Sequence, residues 1–324
     1  MKKTIHCNPE FGCEIICVIP YVHYLYKQGL LDKVYTVTDM RPFYYFLPDE
    51  YVVEQYTERT LNNSVSLKDV PNNWIHHNAK AITGKEYSEL TYEQQCEVNG
   101  VLDYSEWDAP EYTHHYLQST SDYIDKPFIV IFNKFTLEHG NTPIGYLDMP
   151  MLQSIIEYLT SQGYAVIYRR PSNNDYAQDQ NEVMSMHHKL IERYGIKAYD
   201  SDENIIDDKT LISYYTDCYL VEDLYTNSGI SSKNEFELSL YAKADGFITV
   251  NGGNCVLASI FGKPVVVYAC EGSELRENYF NENCYFKKFA NAPIYPIIDA
   301  KDDILKSNTR KYEEFINTVK QVFK

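Results

Sequence analysis

Residues 246–269 read GFITVNGGNCVLASIFGKPVVVYA, and the order of features in that stretch decides the fold. A short apolar run, GFITV, stops at Asn251-Gly252-Gly253-Asn254. The segment NCVLASIFG has apolar residues at helical spacing, and a second apolar run begins at once after Gly262-Lys263-Pro264. Strand, helix and strand joined this tightly make the unit of a parallel sheet, because parallel neighbours need a crossover and a helix supplies it. Bare backbone at the strand end has two readings. One is a tight turn with no ligand. The other is a close approach of main-chain N–H groups to a phosphate at the positive end of a helix. The second reading expects a diphosphate seat at Asn251, Gly252, Gly253 and Asn254. The spacing is not GxGxxG and no GxxxxGK[ST] occurs, which argues against a dinucleotide fingerprint and a Walker loop.

The same alternation runs outward from this stretch. PFIVIFNK (127–134) is a buried strand, LDMPMLQSIIEYLTSQGY (147–164) an amphipathic helix and AVIYRRP (165–171) a second strand. SMHHKLIERYGI (185–196), NEFELSLYAKAD (234–245) and TRKYEEFINTVKQVF (309–323) read as helices, and CYLVED (218–223) as a strand or a helix end. At the beginning, KTIHC (3–7) is a strand and NPEFG (8–12) a loop. CEIICVIPYVHYLYKQG (13–29) is a helix ending at Gly29, and KVYTVTD (33–39) the next strand. Residues 40–125 are less regular, with tyrosines, turns and an acidic helical piece at 86–102. The fold class is therefore α/β: two Rossmann-like, doubly wound parallel-sheet domains, residues 1–125 and 126–324, facing a central cleft.

The charge balance narrows the partners. Against 29 basic residues stand 46 acidic ones, a net charge of −17, which repels nucleic acid and anionic lipid. Many of the 31 tyrosines lie in polar segments, where a ring with one polar edge suits a sugar; surface and core tyrosines would look the same. The eight cysteines show no CxxC pair or metal-ligand spacing, so a reduced, cytoplasmic setting is expected. Asn8, Pro9, Glu10 and Glu14 interrupt the first apolar segment, so no signal peptide is expected, and no apolar run reaches the roughly 20 residues a membrane helix needs.

In open parallel sheets ligands bind outside the carboxyl ends of the strands. Asn133 and Lys134 follow one such end and Arg169 and Arg170 stand at another, cations placed to neutralise a diphosphate or to form surface ion pairs. Glu271 and Ser273 follow VVVYA and are candidates for sugar or ribose hydroxyls. After the first strand come Glu10 and Glu14. A carboxylate there is placed to take a proton from an acceptor hydroxyl, or, at the helix start, simply to complement the dipole. Asp39, Arg41 and His23 are candidates for an acceptor site.

With these residues in view, the chain resembles the GT-B class of glycosyltransferases, and within it the ADP-heptose lipopolysaccharide heptosyltransferases. That family has Gly-Asp opening a helix with a proline six residues after the acid. Here GCEIICVIP (12–20) keeps Gly12 and has Glu14 six residues before Pro20, with Cys13 inserted and Glu in place of Asp. The family's second motif is a strand, then Asp-Thr-Gly-x-x-His opening a helix, then Gly-x-Pro and a strand. This chain keeps Gly253 and Gly262-Lys263-Pro264, and carries Asn251, Gly252 and Val256 where the family has Asp, Thr and His. Lys134 is similar to the family's phosphate-contacting lysine, and Arg169-Arg170 to the Arg-Arg pair of GDP-fucose-dependent fucosyltransferases. The resemblance implies an inverting glycosyltransferase without metal or cofactor. Its co-substrate would be a nucleotide-diphosphate sugar, its acceptor a glycan, and its base Glu14, with Glu10 beside it. The alternatives are a nucleotide-sugar epimerase on the same plan and a non-catalytic carbohydrate- or nucleotide-binding protein.

Overall fold

The structure is a computed structural model that describes residues 1–60, 67–71, 79–118, 124–134, 145–170, 198–199, 205–270, 279–290, 293–299 and 311–324. It is mixed α/β, built on two parallel sheets. Strands β1 (Lys3–His6), β2 (Leu31–Val37) and β3 (Val52–Tyr56) form the first, in that order. The second contains β4 (Phe128–Phe132), β5 (Ala165–Arg169), β8 (Cys218–Leu220), β9 (Gly246–Val250), β10 (Val265–Ala269) and β11 (Ile294–Ile298). A separate antiparallel pair joins β6 (Ala198–Tyr199) to β7 (Ile205–Ile206). The region read as irregular thus supplies β3, and β11 is a further strand that the apolar pattern alone did not reveal.

The order of the second sheet is β11-β10-β9-β4-β5-β8, all parallel. From its other edge, and counting only its own strands, this is 3-2-1-4-5-6, the doubly wound order. The chain starts in the middle with β4, winds outward to β8, returns to β9 beside β4 and winds out the other way. The carboxyl ends of β4 and β9 therefore flank the point where the winding reverses, the place where open parallel sheets bind ligands.

Both faces of this sheet are covered, which explains why its strands read as continuous apolar runs. On one face Ile129, Ile131, Val166, Ile248 and Val266 pack with Leu152, Ile155 and Ile156 of helix Met149–Ser161 and with Phe315 and Val319 of helix Tyr312–Val322. On the other, Val130, Phe132, Ile167, Phe247 and Val267 belong to a core that continues into the first half through Tyr241, Phe261 and Tyr112. Capping side chains set several helix starts: Asp148 accepts from Met151 N, Asp207 from Thr210 N and Ser232 from Glu235 N. Among the described residues no helix is long and apolar enough to cross a membrane. None of the eight cysteines is bridged in a disulfide.

In the first half the predicted helix after β1 is not uniform. Phe11–Cys13 is a short α-helical turn, Glu14–Val18 widens to a π-helix, and Ile19–Lys27 returns to α with Pro20 in its first turn. A π turn accommodates one extra residue, and the widening begins immediately after Cys13, the residue inserted relative to the heptosyltransferase motif. The segment 79–118 then bridges the halves. Tyr285 N donates to Gly100 O, Thr113 Oγ1 to Phe261 O, and the rings of Trp107 and Phe289 pack 5.1 Å apart.

One residue tests the packing of the central sheet. A methyl group at Gly246, the first residue of β9, would collide with the Phe323 ring and come within 3.0 Å of Pro264 O. Gly246→Ala is expected to destabilise the protein by about 1–3 kcal/mol, read as a lower urea midpoint with an unchanged slope.

Candidate active site

Lys134 leaves the end of β4 and Gly252 follows β9, so the two flank the reversal point. A methyl group built on Gly252 would stand only 2.8 Å from Lys134 Nζ and 3.6 Å from its Cε: the lysine lies across a position that has to be bare. Gly252 also has φ +109°, a conformation that L side chains rarely adopt. Its carbonyl accepts from Cys255 N and Val256 N as the first bonds of helix Gly253–Ser259. The amides of Gly253 and Asn254 precede those bonds and, by helix geometry, have no intrahelical acceptor. Asn251 is buried just ahead of them, and Asn254 is half-buried. Four of the predicted donor residues thus gather with Lys134. Among the described residues no carboxylate pairs with the Lys134 ammonium.

The other predicted donor residues are committed elsewhere. Asn133 is fully buried. Its Oδ1 accepts from Leu147 N and Lys134 N, and its Nδ2 donates to Leu147 O and the Tyr168 hydroxyl. It shapes the loop that carries Lys134 and presents nothing to a ligand. Arg169 places Nε 3.1 Å from both oxygens of Glu237, on helix Lys233–Ala242. Arg170 is 7% exposed and pairs with the buried Asp208 at 3.1 Å. Asp208 also accepts from the Tyr168 hydroxyl at 2.5 Å, and burial holds its carboxyl above the usual range. The two arginines that a net charge of −17 left unexplained are answered by internal carboxylates. Glu271 and Ser273 lie outside the described residues.

On the first half, the loop after β1 meets this place directly. A methyl group on Gly12 would stand 3.5 Å from Gly253 Cα, and one on Gly253 3.8 Å from Gly12 N. Two helix starts from the two halves touch through residues that have no side chain. Glu10, half-buried, caps the first of them without a side-chain bond to its own turn.

Glu14 is different: it is 0% exposed. Its Oε1 accepts from the Tyr44 hydroxyl at 2.8 Å and from Thr36 Oγ1, with the Cys7 thiol 3.8 Å away, and its Oε2 accepts from Arg59 Nη1 at 2.7 Å. Burial pushes the Cys7 thiol and Tyr44 phenol well above their usual pKa values, so both stay protonated donors to the carboxylate. The carboxylate read from the sequence as the base is thus enclosed, with both oxygens held by neighbouring side chains, whereas a base has to reach an acceptor hydroxyl.

The predicted acceptor residues are also structural. Asp39, the one described non-glycine residue with positive φ (65°), accepts from Asn234 N at 3.0 Å through its side chain and from Asn234 Nδ2 at 2.7 Å through its carbonyl. It joins the first half to helix Lys233–Ala242. Arg41 bonds Asp49, Tyr44 O and Leu47 O, bracing its own loop. His23 Nδ1 lies 2.9 Å from Asp108 O, and burial lowers its pKa. Arg59 was not singled out from the sequence. It stands just beyond β3, and had VVEQY been read as a strand, the strand-end rule would have pointed to it.

The sequence matches no protein-family model and no curated protein. Among solved structures the chain is similar to a glycosyl transferase family 9 protein from Veillonella parvula DSM 2008, with 11% identity and a TM-score of 0.47 over 99% of this chain and 96% of that one. It is also similar to TibC, an iron-containing dodecameric glycosyltransferase from enterotoxigenic E. coli H10407, with 14% identity and a TM-score of 0.42. That match covers 91% of this chain and 62% of TibC, less than two thirds of its length. A third is a UDP-N-acetylglucosamine 2-epimerase, with 12% identity and a TM-score of 0.34 over 99% of this chain and 91% of that one.

The Glu14–Arg59 pair is the deepest ionic contact of the first half, with side chains 0% and 3% exposed. Arg59→Met strands a buried carboxylate and is expected to cost about 3–5 kcal/mol, measured by urea denaturation. Replacing Glu14 by Gln in the same chain removes the stranded charge and is expected to recover part of that loss.

Proposed function

We propose that this protein is a glycosyltransferase that moves a sugar from a nucleoside-diphosphate sugar to a hydroxyl of a glycan. One observation carries the reading. At the reversal point of a doubly wound sheet, an ammonium without a carboxylate partner among the described residues lies over a bare glycine, at the start of a helix. That combination suits an anion of at least two charges. The sequence resemblance to the heptosyltransferases supports the same reading, since Lys134 and Gly253 are among the positions that carry it.

In the proposed reaction the departing diphosphate gains negative charge as the glycosidic bond breaks. Lys134 and the amides of Gly253 and Asn254 stabilise it where that charge develops, without a metal ion. The acceptor hydroxyl attacks the anomeric carbon from the opposite side and inverts it, giving up its proton to Glu10. Glu10 is favoured over Glu14 because it is half-exposed and stands two residues from the Gly12–Gly253 contact, whereas Glu14 is enclosed. Eight cysteines with no disulfide among them favour a reducing compartment such as the cytoplasm.

The test begins with a panel of UDP-, GDP-, ADP- and CMP-sugars, taking as donor the one that raises the melting temperature most. Glu10→Gln is expected to lower turnover by about 10²–10⁴-fold while nucleotide affinity stays close to wild type. Near-wild-type turnover in Glu10→Gln contradicts the assignment of the base. Conversion of donor in the absence of any acceptor indicates an epimerase instead, and binding without turnover across the panel a non-catalytic protein.

A further inference from the structure

We infer that Arg59 is a positioning residue for the proposed transfer, holding the Pro9–Gly12 loop in the one geometry that brings Glu10 to the acceptor hydroxyl. The inference rests on the transferase reading and adds to it a residue that the reading did not contain.

The segment Glu58–Thr60, just past β3, grips the loop that follows β1 at Asn8, Pro9 and Phe11. Thr60 N donates to Asn8 O at 2.7 Å, and Asn8 Nδ2 donates to Glu58 O at 3.3 Å. Arg59 Nη1 donates to Pro9 O at 2.8 Å, and the guanidinium lies over the Phe11 ring, 5.3 Å from its centroid. The loop is held on both sides of Glu10, by the carbonyl before it and the ring after it, and one side chain makes both contacts. Phe11 is fixed again by an edge contact with Phe43 at 5.4 Å.

The guanidinium is itself fixed from below. Glu14 Oε2 accepts from the same Nη1 at 2.7 Å, while the Tyr44 hydroxyl and Thr36 hold Oε1, so the carboxylate has no freedom to turn. A polar stack therefore runs from β2 and the loop after it through Glu14 and Arg59 to the Glu10 loop. This gives the buried ion pair a purpose that stability alone does not supply, since burying such a pair gains little over apolar packing. Gly12 closes the loop against Gly253, so its position also sets the gap between Glu10 and the phosphate seat. A misplacement of about 1 Å in such an arrangement can cost on the order of 100-fold in rate.

Arg59→Lys separates positioning from folding. The ammonium keeps a positive charge against Glu14 and can still donate to Pro9 O, but it has no planar face to lay over the Phe11 ring, and its flexible stem holds the loop less rigidly. With the donor chosen from the nucleotide-sugar panel, kcat is expected to fall by about 10–100-fold while the donor KM and urea midpoint stay close to wild type. Amide hydrogen exchange at residues 8–12 is expected to quicken in the same variant. Wild-type kcat with unchanged exchange at 8–12 overturns the inference. A rise in donor KM with those amides still protected also overturns it, since Arg59 would then be acting on the donor itself. If the wild-type protein turns over no donor in the panel, the transferase reading falls and the positioning role with it, whatever the exchange data show.

Discussion

Two backbones touch closely only where neither bears a side chain, and in this protein the two halves touch at Gly12 and Gly253. Each of these residues lies in the first turn of a helix that follows a strand end, so the contact brings together two places where parallel sheets leave backbone amides exposed to a ligand. Around it stand the half-exposed carboxylate Glu10 on one side, and Gly252 with Lys134 on the other.

Charge is sorted around this contact in a way that fits the anion site proposed for this anionic protein. Arginines at the end of β5 are each matched by a carboxylate from a neighbouring helix, Glu237 for Arg169 and Asp208 for Arg170. Arg59 is matched by Glu14. Lys134 lacks such a match among the described residues, and its loop is fixed not by an ion pair but by the neutral amide of Asn133. The paired cations stiffen the frame. The unmatched one keeps its charge available, and a lysine, as a compact charge on a flexible stem, suits a diphosphate whose geometry changes during reaction.

The fold was legible where burial is two-sided. The runs FIVIF, AVIY, GFITV and VVVYA are strands between two layers of helices, and no other reading fits such short apolar stretches followed at once by helical spacing. VVEQY was missed because β3 has no fully buried residue, and IYPII, with only two buried positions, has no continuous apolar face to mark it. Of the candidate site, the positions of the glycines and Lys134 at the strand ends were legible, because backbone conformation and strand position suffice to place them. Roles that depend on the partner were not. Arg169, Arg170, Asp39 and Arg41 look like ligand contacts until Glu237, Asp208, Asn234 and Asp49 are brought to them from 8 to 195 residues away. Glu14 matched a family motif by spacing, but spacing does not show that Thr36, Tyr44 and Arg59 close over it.

The central claim is that a diphosphate sits between Lys134 and the first turn of helix Gly253–Ser259, against the Gly12 loop. Its most direct test is an amide-resolved NMR titration of the intact protein with the nucleoside diphosphate that stabilises it most. The largest shifts are expected at Gly252, Gly253 and Asn254, with smaller ones at Gly12 and Lys134, and Lys134→Ala is expected to abolish them at the same nucleotide concentration. Saturable binding whose shifts fall elsewhere, with residues 252–254 undisturbed, would contradict the account.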